Sequence, residues 1–229
     1  MARRVADTAA EILAALGPLE GRAILDVGCG QGRLSAALAR RGARMTAVDP
    51  DGAAVFAARQ AGPDLRVEQS GAEALPFADA SFDGVVMLNS LHHVPSESLA
   101  AALSEIARVA APDAPIVIVE PLAEGTFFEA MRPLEDETAI RAAAQAALDH
   151  ACADGEPLIL ASIEEFERVE PFRDVEQFIE RLVAVDPARR SALPAARGEV
   201  ERLFATLSEP TALGATLRQP LRMHRLRRR

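Results

Sequence analysis

Along the first half of the chain, short apolar runs alternate with stretches in which apolar residues recur every three or four positions. The run AILDVG (residues 23–28) stops at a glycine, and the spacing in RLSAALARRG (33–42) then predicts a helix closed by Gly42. RMTAVDP (44–50) reads as a second strand and DGAAVFAARQAG (51–62) as a second helix, with Asp51 near its N-terminus and Gly62 past its end. LRVEQSG (65–71) and FDGVVMLNS (82–90) predict a third and a fourth strand, the latter followed by a helix through SESLAAALSEIARVA (96–110). APIVIVEP (114–121) gives a fifth, a nearly continuous apolar run of the kind found where both faces of a parallel strand are buried. Strands joined by crossover helices are parallel, so the pattern predicts an open, doubly wound α/β sheet. Ligands of such sheets sit outside the carboxyl ends of the strands, where the strand order reverses. Those ends carry Asp26, Asp49, Gly71, Asn89 and Glu120.

The pattern changes after Leu122. FFEAMRPLEDETAIRAAAQAALDHA (127–151) has helical spacing, EEFERVEPF (164–172) suits a short strand, and DVEQFIERLVAV (174–185) returns to the helical period. Asp186 and Pro187 open a further helix, interrupted near Pro194, and the alternation in QPLRMHRL (219–226) suits a last or edge strand. At the N-terminus, Val5, Ala9, Ile12, Leu13 and Leu16 fall on one helical face that ends at Gly17-Pro18. The expected organisation is an amphipathic helix over 1–20, an α/β core over 21–122, a helical insertion over 123–163, and C-terminal helices and strands over 164–229 that complete the sheet.

Composition narrows the function classes. A chain of 229 residues that is 49% hydrophobic can bury a full core, and a net charge of -9 argues against a general nucleic-acid binder. The basic tail RMHRLRRR is expected to be a solubilising end to the last strand. All cations are arginine, a compositional bias without chemical consequence. Cys29 and Cys152 form no CxxC pair, so neither a disulfide framework nor a metal site is expected, and a reducing cytoplasm fits. Asp7 and Glu11 interrupt the N-terminal segment before a signal-length apolar core can form, and no stretch is long and uncharged enough to span a bilayer.

The stretch LDVGCGQGR (25–33) carries the chemistry. A dinucleotide pyrophosphate on a glycine loop wants no anion nearby, and Asp26 stands two residues before Gly28. A cofactor whose loop-facing end carries an ammonium is attracted instead, and S-adenosylmethionine has such an end and no phosphate. The spacing Gly28-Cys29-Gly30-Gln31-Gly32 also differs from GxGxxG, whose third glycine falls one position later. Asp49 suits the two ribose hydroxyls of either cofactor class.

Taken with AVDP, SGAEALPF, SFDGVVMLNSLHHV and IVIVEP in order, this loop resembles that of the class I S-adenosylmethionine-dependent methyltransferases, in the small-molecule, type 11 or quinone-methyltransferase-like group. The resemblance covers roughly residues 20–122. It implies a Rossmann-like, mostly parallel sheet of the seven-stranded type, and methyl transfer to a small organic acceptor with S-adenosylhomocysteine as product. It also implies a cofactor site of Asp26, Gly28, Cys29, Gly30, Asp49, Pro50, Gly71, Ala72, Glu73 and Asn89. Asp26, Gly28 and Gly30 would line the methionine end, Asp49 would bind the ribose, Gly71 and Ala72 would flank the adenine, and Asn89 would lie beside the sulfonium. Two departures stand out: the family often has an acid where Gly71 stands, with Glu73 the nearest substitute, and Pro112-Asp113-Ala114-Pro115 replaces a glycine pair before the fifth strand.

Removal of an acceptor proton calls for a base, and His92 and His93, just after the fourth strand, are the candidates. Phe127, Phe128 and Met131 are expected to wall an acceptor site, with Arg132, Arg141 and His150 as polar contacts. Residues 89–92 are Asn-Ser-Leu-His, with neither an NPPY-like sequence nor a Pro-Cys pair, which disfavours nucleobase or protein-glutamine methylation. A small acceptor methylated at oxygen, carbon or nitrogen remains. Two alternatives stay open: a cofactor-binding interaction protein without catalysis, and a nicotinamide oxidoreductase. The sequence leaves the oligomeric state open.

Overall fold

The structure, a computed structural model, describes residues 3–62 and 64–229. The chain divides into two compact units whose segments interleave. One takes Asp7–Glu120, Ala142–Glu164 and Arg222–Arg229; the other takes the described residues up to Ala6, Pro121–Arg141 and Glu165–Leu221.

The first unit opens with α1 (Thr8–Leu16), set by Asp7, whose side chain accepts from Ala10 N at 2.7 Å. The helix therefore begins at residue 8 rather than at the N-terminus. Alternation follows as the pattern predicts: β1 (Ala23–Val27), α2 (Arg33–Ala39), β2 (Arg44–Asp49), α3 (Gly52–Ala61), β3 (Arg66–Gln69), β4 (Gly84–Leu88), α4 (Leu99–Val109) and β5 (Ile116–Pro121). Asp51 caps α3 by accepting from Ala53 N at 2.9 Å. The pairs β1 with β2, β1 with β4, β2 with β3 and β4 with β5 are all parallel, with Leu25 opposite both Thr46 and Val85. Strand order runs β3-β2-β1-β4-β5, so it reverses between β1 and β4, the switch point of a doubly wound sheet. Ile24, Leu25, Val85, Val86, Ile116, Val117, Ile118 and Val119 are each 0% exposed, which accounts for their unbroken apolar runs.

Beyond β5 the elements are α5 (Thr126–Met131), α6 (Thr138–Ala151), β6 (Leu158–Phe172), α7 (Val175–Val185), α8 (Leu193–Leu207), β7 (Glu209–Thr211) and β8 (Gly214–Arg228). Several features differ from the sequence reading. The helical stretch 127–151 is two helices, α5 ending at Met131 just before Pro133, which has no N–H to carry the helix on. The strand expected over 164–172 begins at Leu158, since Leu158-Ile159-Leu160 already reads as strand once the helix has stopped. The last strand likewise extends to Gly214–Arg228. After β5 the strand order continues β8-β6, and β7 pairs antiparallel with β8. Asp186 caps a 3₁₀ turn over Pro187–Ser191 rather than a long helix, and α8 follows with Pro194 in its first turn, where no N–H is needed.

The second unit packs its own core from Phe128, Met131, Leu134, Phe172, Phe178, Leu182, Val200, Phe204 and Leu217. The Phe172 and Phe178 rings meet edge-on with centroids 5.2 Å apart. In the first unit the basic tail is tied down: Arg229 donates to the carbonyls of Glu156 at 2.8 Å and Ala153 at 3.0 Å. Among the described residues, no helix is long and apolar enough to cross a membrane.

His224 of β8 is buried, and neither of its ring nitrogens has a hydrogen-bond partner. Burial pushes its pKa down to about 4; Arg222 lowers it further, while Asp149 and Glu120 oppose the shift. A buried neutral histidine contributes stability above its unfolded pKa near 6.5 that is lost as pH falls toward 4. Urea unfolding from pH 4 to 7 should therefore show wild type losing on the order of 3 kcal/mol relative to His224→Leu as the pH drops. Parallel curves for the two proteins would contradict this.

Candidate functional site

The site lies in the first unit at the carboxyl end of β1. Residues 28–32 turn from β1 into α2, and the three glycines serve three purposes. A Cβ on Gly28, whose φ is +73°, would fall 2.4 Å from Ser90 Cβ. A Cβ on Gly32 would fall 3.0 Å from Ala58 of α3. Nothing lies within 4 Å of the Cβ position on Gly30, so the loop is open to an incoming group there.

The backbone donors of this loop are turned inward. Gly28 N and Cys29 N donate to Val48 O at 2.8 and 3.0 Å, and Gly32 N donates to Cys29 O at 2.9 Å. Gly30 N donates to Asp49 Oδ2 at 2.8 Å. A phosphate-binding loop presents such amides to its anion; here four of the five are already spent within the protein.

Two acids bracket the loop. Asp49, at the end of β2, also accepts from Asp51 N at 3.0 Å through Oδ1, which ties the glycine loop to the start of α3. Each oxygen has taken one donor and each retains a further lone pair. Asp26 is 1% exposed and accepts from the Ser35 hydroxyl of α2. Burial pushes its carboxyl up to about 6, the Ser35 hydrogen bond opposes the rise, and the nearby Asp49 charge adds to it. The same burial, with Asp26 and Asp49 beside it, pushes the Cys29 thiol up to about 12, which makes it an inert packing group.

Across the switch point, Asn89 takes a left-handed backbone (φ +53°), and its buried Oδ1 has no hydrogen-bond partner. Ser90 Oγ donates to Val27 O at 2.9 Å. A 3₁₀ turn over Leu91–His93 follows; His92 is buried with Nδ1 against Glu120, and His93 is exposed with its ring centroid 4.1 Å from that of His92. After β3, the Glu73 side chain folds back over Gly71: a Cβ on Gly71 would fall 2.3 Å from Glu73 Oε1. Ala72 is buried, and Pro50 O accepts from Gln69 Nε2 at 2.9 Å.

Residues 24–113 match the family model described as "Methyltransferase domain". This segment is similar to methyltransferase domains. A ubiquinone biosynthesis O-methyltransferase of Alkalilimnicola ehrlichii is 42% identical over 107 residues, 44% of this chain and 42% of the relative. A demethylmenaquinone methyltransferase of Beutenbergia cavernae is 37% identical over 108 residues, 47% of this chain and 44% of the relative. The matches thus span less than half the length of these relatives. The solved YcgJ protein of Bacillus subtilis shares the fold, with a TM-score of 0.67 at 18% identity over 96% of this chain and 98% of that one.

The first unit brings Asp26, Gly28, Cys29, Gly30, Asp49, Pro50 and Asn89 to one end of the sheet, with Gly71, Ala72 and Glu73 after the neighbouring β3. Ser90 and Ser35 were not singled out in the sequence, because a lone serine carries no spacing signal. Glu120 was legible only as a strand end. The residues expected to meet an acceptor belong to the other unit, His150 excepted. There Phe128 and Met131 are core, and Arg141 is buried with Glu137 at 2.7 Å, its guanidinium 4.6 Å from the Phe128 centroid. Phe127 is half-buried, and Arg132 is exposed with Glu129 at 3.3 Å. His150 lies exposed in the first unit, 3.8 Å from Glu156.

The raised Asp26 pKa couples stability to pH. Its stabilising contribution is full below the unfolded value near 3.8 and is lost as pH rises through about 6. Relative to Asp26→Asn, the free protein should lose on the order of 3 kcal/mol between those limits in urea unfolding. A difference that is flat with pH would show Asp26 to be ionised without penalty.

Proposed function

We propose that this chain is an S-adenosylmethionine-dependent methyltransferase acting on a small organic acceptor. The observation that carries the reading is the inward-turned glycine loop beside two acids, in a segment that matches a methyltransferase domain. A loop with four of its five amides already bonded offers a phosphate little, which counts against a nicotinamide cofactor. The same loop, with Asp26 buried beneath it, favours a cationic end. The residues fit the cofactor in three places. Asp49 keeps lone pairs for the ribose hydroxyls, the orphaned Asn89 Oδ1 offers an acceptor near the sulfonium, and Glu73 over Gly71 supplies a carboxylate where residue 71 has no side chain. Gly28, Cys29 and Gly30 line the methionine end, Pro50 lies beside the ribose, and Ala72 flanks the adenine.

When bound, S-adenosylmethionine would supply an electrophilic methyl group on a neutral leaving thioether, so no acid would be required of the protein. The chain's main contribution is orientation, which can be worth about 7–11 kcal/mol when a nucleophile is held in line. An acceptor hydroxyl must also give up a proton. His93 is exposed and better placed for this than His92, which is 4% exposed and held at Nδ1 by Glu120. The names of the relatives make phenolic and quinone-ring compounds the first acceptors to try. Two free thiols suit a reducing cytoplasm.

Calorimetric titration with S-adenosylhomocysteine should give roughly micromolar binding, and Asp49→Ala should weaken it by about 10- to 100-fold through lost charge-assisted hydrogen bonds. NAD should not bind. Binding to NAD in preference to the nucleoside would overturn the cofactor assignment, and binding without methyl transfer to any phenolic or quinone-ring acceptor would favour a non-catalytic binding protein.

A further inference from the structure

Glu120, near the end of β5, is 1% exposed and surrounded by donors from the turn after β4. Its Oε1 accepts from Ser90 N at 3.0 Å and Leu91 N at 2.9 Å, and its Oε2 accepts from His92 N at 3.3 Å and also meets His92 Nδ1. Successive amides converging on one point make a concave anion site, and here the protein's own side chain fills it. With most of its acceptor capacity used, this carboxyl is poorly suited to moving a proton, and its consequence lies in the residue it holds. Ser90 donates from Oγ to Val27 O, and its Cβ is the atom that leaves no room for a side chain on Gly28. A continuous path of contacts therefore runs from β5 through Ser90 to the first turn of the glycine loop on β1.

We infer that Glu120 is a positioning residue for the glycine loop, acting through Ser90 across the switch point to hold Val27 and Gly28 where the ligand's amino-acid end is received. The identity of that ligand rests on the function proposed above; the coupling from Glu120 to the loop does not. Glutamine has nearly the same shape but a single acceptor oxygen. Its amide nitrogen would face either the Ser90 and Leu91 amides or the His92 amide, donor against donor. Ser90→Ala keeps the turn and removes only the hydroxyl link to Val27.

The test compares Glu120→Gln, Ser90→Ala and the double variant of the full chain. It measures amide hydrogen exchange over residues 28–32 in the free protein, S-adenosylhomocysteine affinity, and thermal unfolding in parallel. Glu120→Gln should speed loop exchange and weaken binding about 10- to 100-fold, in keeping with the cost of a misplaced binding group. Ser90→Ala should do the same to a smaller extent. Added to Ser90→Ala, Glu120→Gln should cost less than about a further threefold, because the path is already cut. A lowered melting temperature with unchanged loop exchange and affinity would reduce Glu120 to a structural role and overturn the inference, as would losses that simply multiply. Should Glu120→Gln fail to fold, wild-type loop exchange in Ser90→Ala would overturn it alone. Should wild type bind no nucleoside, the proposed function fails while the exchange measurements still decide the coupling.

Discussion

Where β1 and β4 part, the backbone of Gly28 passes so close to Ser90 that a Cβ on residue 28 would fall 2.4 Å from that of the serine, and the rest of the site is arranged around this approach. On one side, Val48 O takes the amides of Gly28 and Cys29, which fixes the loop to β2. On the other, Glu120 takes the amides of Ser90 and Leu91, which fixes the opposing turn to β5. A parallel sheet whose order reverses between β1 and β4 sends its connections to opposite faces there, and the crevice this leaves is narrow only because residue 28 has no side chain.

Three acids meet at this end of the sheet, and each has a different role set by its donors. Glu120 is occupied by the turn after β4. Asp49 spends one lone pair per oxygen on Gly30 and Asp51 and keeps the others, so it clamps the loop and remains able to receive a hydroxyl. Asp26 takes the hydroxyl and backbone bonds of Ser35, and the cost of burial still raises its carboxyl pKa to about 6. A cationic ligand group near Asp26 would relieve that cost, whereas a phosphate would add to it. The electrostatics and the inward-turned amides therefore favour the same kind of ligand by independent routes.

Much of this was legible along the chain. The five parallel strands and their helices follow from local periodicity, and Asp51 and Gly62 mark a helix that begins and ends where they stand. The second half was read less well for equally local reasons. Pro133 breaks a helical pattern that otherwise continues through Ala151, and residues 158–163, which extend the helical insertion in the sequence reading, belong to a 15-residue strand whose signal there is only Leu158-Ile159-Leu160 and Ile163. Phe128 and Met131 show why a candidate acceptor wall is hard to call from a helix alone, since the same apolar stripe serves equally to build a core.

By itself the sequence determined the alternating architecture, the strand ends and the glycine spacing, because side-chain period and turn chemistry are properties of near neighbours. It also placed Asp26 and Asp49 beside the loop, since both adjoin strand ends. Only the tertiary structure decided which donors each acid takes, that Ser90 presses on Gly28, and that His92 is held while His93 is exposed. The contacts of Ser90 with Glu120 and with Val27 join residues about 30 and 60 positions apart, and no local pattern encodes which of many possible partners the packed sheet brings within hydrogen-bond reach.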